Sequence, residues 1–227
     1  MKLFFAHIED QNIQIPEDEQ HHMLKVLRLQ HGSPIAVTNG KGLWAEGSMA
    51  VLGKKVSLQD YKIHQAPSPK QHLHIAIAPT KNIDRIEFFV EKATEMGIAE
   101  ISFILSDKSE RKDIKLEKLQ KQAIAASKQS LRFHFPKLNP LQKLSDFIQQ
   151  QKPEATFICH CDTAFEREDL KNIKLQNATF LVGPEGDFSL KEIQMIQAMG
   201  IKAISLGQQR LRTETAALFL SAWAYGK

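Results

Sequence analysis

The chain has 227 residues, which is enough for one or two domains with a sizeable core. Hydrophobic residues make up 42% of it and charged residues 25%, as in an ordinary soluble globular protein. No apolar run is long enough to span a bilayer, and the apolar patch after Met1 turns acidic too soon for a signal peptide, so we expect no membrane contact. The formal net charge of +4 permits nucleic-acid binding without requiring it.

Residues 1–66 are predicted to be mostly β-structure, with one helix. The predicted strands cover residues 3–5, 34–38, 43–51 and 55–63. A helix is predicted over residues 17–29, and its spacing places His21, Lys25 and Arg28 on one face. Such a face is either a solvated cationic surface or a phosphate-contacting face on a small β-barrel.

A linker is predicted at residues 66–69, where two prolines disfavour regular structure. Beyond it, strands and helices alternate with short connections, which indicates an α/β domain with a largely parallel sheet over residues 70–227. The predicted strands are residues 72–78, 101–105, 155–159, 179–182 and 203–206. The predicted helices before the last one are residues 82–96, 116–130, 141–150 and 189–199.

The only two cysteines, Cys159 and Cys161, are one residue apart and therefore too close for a normal structural disulfide. We expect reduced thiols in a cytoplasmic protein. A metal site would need more ligands than these two, because His160 between them would face the other way on a strand. We predict no metal.

A glycine-containing loop, residues 183–188, joins a predicted buried strand to a helix. Gly183 and Gly186 allow a ligand to approach the backbone closely, and open α/β sheets bind ligands at the carboxyl ends of their strands. The loop lacks the fingerprints for dinucleotides and nucleoside triphosphates. It is either a plain turn or half of a ligand site.

A second loop, residues 207–212, lies at what we expect to be a neighbouring strand end and holds two arginines. Thr213 follows as the predicted N-cap of the last helix, with Glu214 in its first turn. Residues 216–225 are almost all apolar, so this helix is predicted to be buried on all sides. The two loops together could enclose one small ligand, or this loop is an ordinary connection.

Two motifs make the pattern specific: GPEGDFSLKEI at residues 183–193 and LGQQRLRTETA at residues 206–216. They resemble signature motifs of the ribosomal RNA small subunit methyltransferase E family. Further similar segments are HHMLKVLR at 21–28, KNIDRIEFFVEKATEMGI at 81–98, SDKSER at 106–111 and QSLR at 129–132. The chain departs from the family pattern at Asp187, where a second glycine is usual, and at Lys128, where glutamate is expected.

The resemblance implies a fold and an activity. That family methylates N3 of a uridine in bacterial 16S ribosomal RNA with S-adenosylmethionine. Its fold would give residues 70–227 a SPOUT-type α/β methyltransferase domain with a C-terminal trefoil knot, and residues 1–66 a PUA-like β-barrel that binds RNA. The expected partners are 16S ribosomal RNA or the assembled small ribosomal subunit, and a second copy of the chain in a homodimer.

The resemblance also implies the site residues. The residues expected to hold S-adenosylmethionine are Leu181, Gly183, Glu185, Gly186, Leu206, Gly207, Leu211, Arg212, Thr213 and Ala216. Glu214 is the candidate base for the N3 proton and Arg212 the candidate cation for the uracil anion. Glu214 could instead only stabilise its helix. The residues expected to contact RNA phosphates are His22, Lys25, Arg28, Arg111 and Arg132.

Two other functions fit the same residues. One is a related methyltransferase that acts on transfer RNA or on a ribose hydroxyl. The other is an RNA-binding protein without catalytic activity.

Overall fold

The computed structural model describes residues 2–9, 12–173 and 177–226. The chain divides into two compact units. The first unit comprises Met1–Pro69 together with Ile124–Phe135, and the second comprises Lys70–Ala123 and Pro136–Lys227. The first unit is therefore built from two separate stretches of the chain.

The described residues of the first unit form six strands around one core. They are β1 (Leu3–Phe5), β2 (His7–Glu9), β3 (Asn12–Gln14), β4 (Pro34–Thr38), β5 (Leu43–Leu52) and β6 (Lys55–Gln65). Four of them form a sheet in the order β1-β4-β5-β6, and β2 pairs with β3 in a separate hairpin. Strand β1 runs parallel to β4, and the other pairs are antiparallel. The apolar side chains of Phe4, Ile35 and Met49 are fully buried in the core that these strands enclose.

The helix predicted over residues 17–29 is shorter than expected. Helix α1 covers Glu17–His21, and a π-helical turn follows over His22–Val26. The wide turn is closed by a hydrogen bond from the Leu27 N–H to the His22 carbonyl oxygen (2.9 Å). Arg28 then adopts a left-handed backbone with φ of 51°, so the prediction that it shares a helix face with Lys25 is wrong.

Residues 124–135 belong to the first unit because they pack on its strands. The Phe133 ring stacks on Trp44 with 4.4 Å between the ring centroids. The Phe133 carbonyl oxygen accepts a hydrogen bond from the Gly42 N–H (2.8 Å). Lys128 forms an ion pair with the buried Glu19. Lys128, which departs from the family pattern, thus has a specific partner of opposite charge.

The second unit is the expected α/β structure. Its strands are β7 (His74–Ile77), β8 (Glu100–Leu105), β9 (Lys137–Lys143), β10 (Thr156–Cys159), β11 (Glu168–Asp169), β12 (Thr179–Val182) and β13 (Lys202–Ser205). They form one sheet in the order β11-β13-β10-β12-β7-β8-β9, and every pair is parallel. The helices are α2 (Ile83–Glu95), α4 (Leu144–Ile148), α5 (Leu190–Ala198), α6 (Thr213–Tyr225) and the first half of α3 (Leu116–Gln129), whose residues from Ile124 onward belong to the first unit. Ile75 and Ile77 enter one apolar cluster and Ala76 another, as expected for a sheet covered on both faces.

The helix predicted over residues 141–150 is shorter than expected, since its first three residues belong to a strand. Strand β9 continues to Lys143, and α4 contains only Leu144–Ile148. Pro140 lies within β9 and cannot donate a backbone hydrogen bond. It is tolerated because β9 is the last strand of the sheet, where one side needs no donors.

The last helix departs from prediction in two ways. Its N-cap is Arg212 rather than Thr213, and Arg212 makes no side-chain cap bond. The helix is also not buried on all sides, because Phe219 is 44% exposed and Tyr225 is 69% exposed. No helix in the described ranges is long and apolar enough to cross a membrane. The knotted path of the chain stays a prediction.

A buried polar network joins β7, β8 and β9. The His74 Nε2 lies 2.8 Å from Ser102 Oγ, which also accepts a hydrogen bond from Asn139 Nδ2 (2.8 Å). Asn139 Nδ2 donates in addition to Glu100 Oε1 (2.6 Å). Burial lowers the pKa of His74 from its ordinary 6.5 to about 4, so the network contains a neutral imidazole at neutral pH.

This network predicts a loss of stability in mild acid. The unfolded chain binds a proton at His74 near pH 6.5, whereas the folded chain binds it near pH 4. As the pH falls from 6.5 to about 4, the free energy of unfolding should therefore decrease. His74 contributes at most about 1.4 kcal/mol per pH unit to this decrease. Urea unfolding at several pH values measures the slope, and His74→Gln should flatten it. An unchanged slope in the folded variant would contradict the assignment.

Candidate active site

The two glycine-containing loops lie at the same edge of the sheet. Residues 183–188 follow β12, and residues 206–212 follow β13. Both strands are parallel to β10, which lies between them in the sheet. The prediction that the two loops follow neighbouring strands is therefore wrong. The residues after β10, His160 and Cys161, lie at the same edge and enter the site region.

One hydrogen bond connects the two loops directly. The Thr213 hydroxyl donates to the Gly183 carbonyl oxygen at 2.9 Å, and both residues are buried. Thr213 is the first residue of α6, and the N-cap position belongs to Arg212, whose side chain makes no cap bond. A guanidinium offers no acceptor to the first N–H groups of the helix.

The ten residues expected to hold the cofactor all lie in these loops or next to them. Leu181, Gly183, Thr213 and Ala216 are buried, Leu206 and Leu211 are half-buried, and Glu185, Gly186, Gly207 and Arg212 are exposed. Gly207 has φ of 132°, a conformation that side chains with a Cβ rarely adopt, and a Cβ added there would meet nothing within 4 Å. The loop after β13 therefore has an open side at Gly207. The cofactor contacts themselves stay a prediction.

The loop after β12 is held by side chains and backbone groups from other strand ends. Lys108 Nζ donates to the carbonyl oxygens of Gly186 (2.9 Å) and Phe188 (3.2 Å). The Glu185 carboxylate accepts a hydrogen bond from the Lys81 N–H (3.0 Å). These contacts within the chain hold the loop in its conformation without a bound ligand. Lys108 lies in the family-like segment SDKSER but was not predicted as a site residue, because its sequence position does not show that it reaches the loop after β12.

Glu214 lies in the first turn of α6 with its carboxylate mostly buried. Its Oε1 is 3.7 Å from Nε of Arg85, which lies on α2. Its Oε2 is buried and has no hydrogen-bond partner among the described residues. A buried carboxylate oxygen without a donor is costly, and such atoms in native structures point to a function or to a bound group. Arg85 lies in the family-like segment at residues 81–98 but was not predicted as a site residue, because the sequence does not show that it reaches Glu214.

His160 is a further residue that the sequence did not identify as a site residue. It follows β10 directly, is 5% exposed, and neither ring nitrogen has a partner among the described residues. Burial lowers the pKa of His160 below its ordinary value of 6.5. The only signal in the sequence was a polar residue immediately after an apolar strand. Across the described part of the chain, no group of histidine, cysteine and carboxylate side chains is suited to hold a metal ion.

The residues expected to contact RNA fall in both units. His22, Lys25 and Arg28 are exposed in the first unit, where Arg132 is half-buried. Arg111 belongs to the second unit, and its guanidinium donates to the carbonyl oxygens of Thr80 (3.1 Å) and Lys81 (2.8 Å). Arg111 therefore also stabilises the segment that precedes α2. All five phosphate contacts stay predictions.

Family models match both parts of the chain. The RNA methyltransferase domain model matches residues 66–225, and the RNA methyltransferase PUA domain model matches residues 15–56. The chain belongs to the family of RNA methyltransferase domains. This confirms the predicted family and the predicted fold class, an α/β domain with an N-terminal PUA-like domain.

Individual relatives are similar over nearly the full length. Ribosomal RNA small subunit methyltransferase E of Mesomycoplasma hyopneumoniae is 29% identical over 229 residues, with 97% of each chain covered. The crystal structure of a probable rRNA-methyltransferase from Porphyromonas gingivalis is 36% identical, with a TM-score of 0.88 and coverage of 100% of this chain and 98% of that one. Ribosomal RNA small subunit methyltransferase E of Neisseria gonorrhoeae, crystallised with S-adenosyl methionine, is 26% identical, with a TM-score of 0.83 and coverage of 98% and 96%.

The bond between the loops predicts the cost of removing one hydroxyl. Thr213→Val keeps the shape of the side chain but leaves the buried Gly183 carbonyl without its donor, which should lower the free energy of unfolding by about 1–3 kcal/mol. Thr94→Val is the matched control. The Thr94 hydroxyl donates to the Val90 carbonyl oxygen (2.6 Å), but this oxygen also accepts a backbone hydrogen bond within helix α2, so it keeps a donor when the hydroxyl is removed. Urea unfolding measures both variants. Equal costs would contradict a specific contribution of the loop contact.

Proposed function

We propose that this protein transfers the methyl group of S-adenosylmethionine to N3 of a uridine in 16S ribosomal RNA. The observation that carries the proposal is the pairing of two loops by Thr213 and Gly183 beside the buried, unpartnered Oε2 of Glu214. The family match and the full-length similarity to ribosomal RNA small subunit methyltransferase E support it. The similar Neisseria gonorrhoeae enzyme binds S-adenosyl methionine, which supports the choice of cofactor.

The residues of the site fit this cofactor. S-adenosylmethionine presents an apolar adenine ring and a carboxylate. The half-buried Leu206 and Leu211 offer apolar surface, and the uncapped first N–H groups of α6 suit an anion. The open side of the backbone at Gly207 allows close approach. When bound, the cofactor supplies a methyl group that its sulfonium has already activated.

The remaining residues prepare the uridine. Uridine N3 carries a proton and becomes nucleophilic only when that proton leaves, which requires a base. We assign this role to Glu214, because its Oε2 is an acceptor without a donor of its own. Arg85 lies near the other oxygen and holds the carboxylate in place. Arg212 is exposed at the start of α6, where its guanidinium can stabilise negative charge on a uracil carbonyl oxygen.

We assign RNA binding to residues 1–66 and methyl transfer to residues 70–227. The exposed cations His22, Lys25 and Arg28 support the first assignment, with Arg132 and Arg111 as further phosphate contacts. The substrate is 16S ribosomal RNA or the assembled small ribosomal subunit, which implies action in the cytoplasm. The uridine must be unpaired or flipped out, because N3 lies on its Watson–Crick edge.

We also propose that the protein acts as a homodimer. Phe88 on α2 is 50% exposed, and Phe219 and Tyr225 on α6 are exposed as well. Helices α2 and α6 pack against each other, so these rings belong to one pair of packed helices. Large exposed apolar side chains on a packed helix pair are typical of a protein interface.

Sedimentation equilibrium of the purified protein tests the proposed homodimer. A monomer at micromolar concentration would contradict it, as would an unchanged dimer in Phe219→Glu.

The role of Glu214 predicts a rate effect that depends on pH. Glu214→Gln removes the base while keeping the size of the side chain, so methyl transfer should slow about a hundredfold or more at neutral pH. Raising the pH should restore much of the rate, because solvent then removes the N3 proton. Single-turnover rates at saturating cofactor measure this. Glu117→Gln is the matched control, an exposed carboxylate in the first turn of α3.

Two outcomes would overturn this assignment. If Glu214→Gln costs about 0.5 kcal/mol of stability and little rate, the carboxylate serves only its helix. If Arg212→Ala methylates at the wild-type rate, the arginine does not stabilise the uracil anion. Arg212→Lys should give an intermediate rate, because lysine keeps the charge but loses the planar fork.

The cationic residues of the first unit predict a change in salt dependence. Arg28→Ala should weaken RNA binding and reduce the slope of log affinity against log salt concentration by about one, if Arg28 neutralises one phosphate. Lys54→Ala is the control, an equally exposed cation in the turn between β5 and β6. Filter binding at several salt concentrations measures both. Identical slopes for the two variants would contradict a specific contact at Arg28.

A further inference from the structure

Asp187 has an unusual backbone conformation within the loop after β12. Its φ is 60°, in the left-handed region that few residues other than glycine adopt, although aspartate tolerates it better than most. Its N–H donates to the Pro184 carbonyl oxygen (2.9 Å), which closes the turn. A glycine would satisfy this backbone at least as well. The backbone alone therefore does not explain the carboxylate.

Both oxygens of that carboxylate accept hydrogen bonds from backbone N–H groups. Oδ1 accepts from Phe188 N–H (2.8 Å) within the same loop. Oδ2 accepts from Cys161 N–H (2.8 Å), which lies in the segment after β10. Bonds from an N–H group to a charged carboxylate are about twice as strong as those between neutral groups. Asp187 thus connects the ends of two adjacent parallel strands, β10 and β12.

The loop is held from two directions. Lys108 donates hydrogen bonds to the Gly186 and Phe188 carbonyl oxygens. The Asp187 carboxylate links the same turn to the Cys161 backbone by accepting a hydrogen bond from its N–H group. Cys161 N–H belongs to the segment that also holds the buried His160. The Asp187 bond therefore fixes both the turn at Gly186 and the segment beside it. Lys108 alone holds only the turn.

We propose that Asp187 is a positioning residue, which keeps the loop after β12 and the segment after β10 in the arrangement that binds the cofactor. This inference rests on the proposed function. Asp187 acts through the backbone groups that it holds, not by contact with the reacting atoms. Without the hydrogen bonds of the Asp187 carboxylate, which we call the tether, the loop samples other arrangements. The apparent dissociation constant of the cofactor then rises by the reciprocal of the fraction of molecules in the arrangement that binds it.

Two substitutions separate the side chain from the backbone. Asp187→Gly introduces the glycine that the family pattern has here, keeps the left-handed backbone accessible and removes both carboxylate bonds. Because we infer that the loop of this chain depends on those two bonds, the variant should weaken S-adenosylmethionine binding about tenfold if about a tenth of the molecules stay competent. Asp187→Asn keeps one acceptor oxygen but turns an NH₂ group toward the other donor. It should therefore bind with an affinity between those of the wild type and Asp187→Gly.

Asp60→Gly is the matched control. Asp60 also has a left-handed backbone, with φ of 47°, but it lies in β6 of the first unit. Both glycine variants change the conformational freedom of the unfolded chain in the same way. Asp60→Gly should leave the affinity for the cofactor unchanged. Weaker binding in Asp187→Gly alone would then result from loss of the carboxylate hydrogen bonds and not from a general effect of glycine.

Titration calorimetry with S-adenosylmethionine and hydrogen exchange of the Cys161 amide test the proposal on the full chain. We expect about tenfold weaker binding and faster Cys161 exchange in Asp187→Gly, with neither change in Asp60→Gly. A folded Asp187→Gly that binds within twofold of the wild type would overturn the inference, and so would unchanged Cys161 exchange. Failure of the wild type to bind S-adenosylmethionine would instead contradict the proposed function, while the exchange measurement would still decide whether the tether exists.

Discussion

The hydrogen bond from the Thr213 hydroxyl to the Gly183 carbonyl is the contact on which the candidate site depends. The two loops that it joins follow β12 and β13, and β10 separates these strands in the sheet. Sheet pairing therefore does not bring the loops together, and a side chain must do so. The donor is the first residue of α6 and Glu214 follows it directly, so the contact lies beside the candidate base. The N-cap Arg212 makes no side-chain cap bond, which leaves the N–H groups of the first turn for a ligand.

The site is made mostly of backbone groups that side chains from other strand ends hold in place. Lys108 fixes the loop after β12 through carbonyl oxygens, and Asp187 fixes it through an N–H group. Arg85 reaches Glu214 from α2. A parallel sheet makes this arrangement possible, since the carboxyl ends of all its strands meet at one edge. The residues that support the loops are consequently far apart in sequence, and although Arg85, Lys108 and Asp187 each lie in a segment that resembles the family, the sequence does not show which of them meet.

The features that the sequence predicted correctly are those set by neighbouring residues. Helix α5 begins at Ser189 with the capping box to Glu192, as the local sequence indicates. The two loops were also predicted correctly as strand-to-helix connections, because their glycines and motifs are contiguous. Contacts between distant segments were not found. Nothing near Phe133 indicates that it stacks on Trp44, and the position of β10 between β12 and β13 follows only from the assembled sheet. Strand β9 was not predicted, and its last three residues were assigned to a helix, because the place of β9 at the sheet edge is also a property of the whole fold.

The most direct test of the account is the identity of the methylated nucleoside. Small ribosomal subunits from a strain that lacks this protein would be incubated with the purified chain and S-adenosylmethionine carrying an isotopically labelled methyl group. Their 16S ribosomal RNA would then be digested and its nucleosides separated by mass, with transfer RNA from the same strain treated in parallel. The account predicts label in 3-methyluridine at one position of 16S ribosomal RNA. Label on a ribose hydroxyl, label in transfer RNA alone, or no label in any RNA would contradict it.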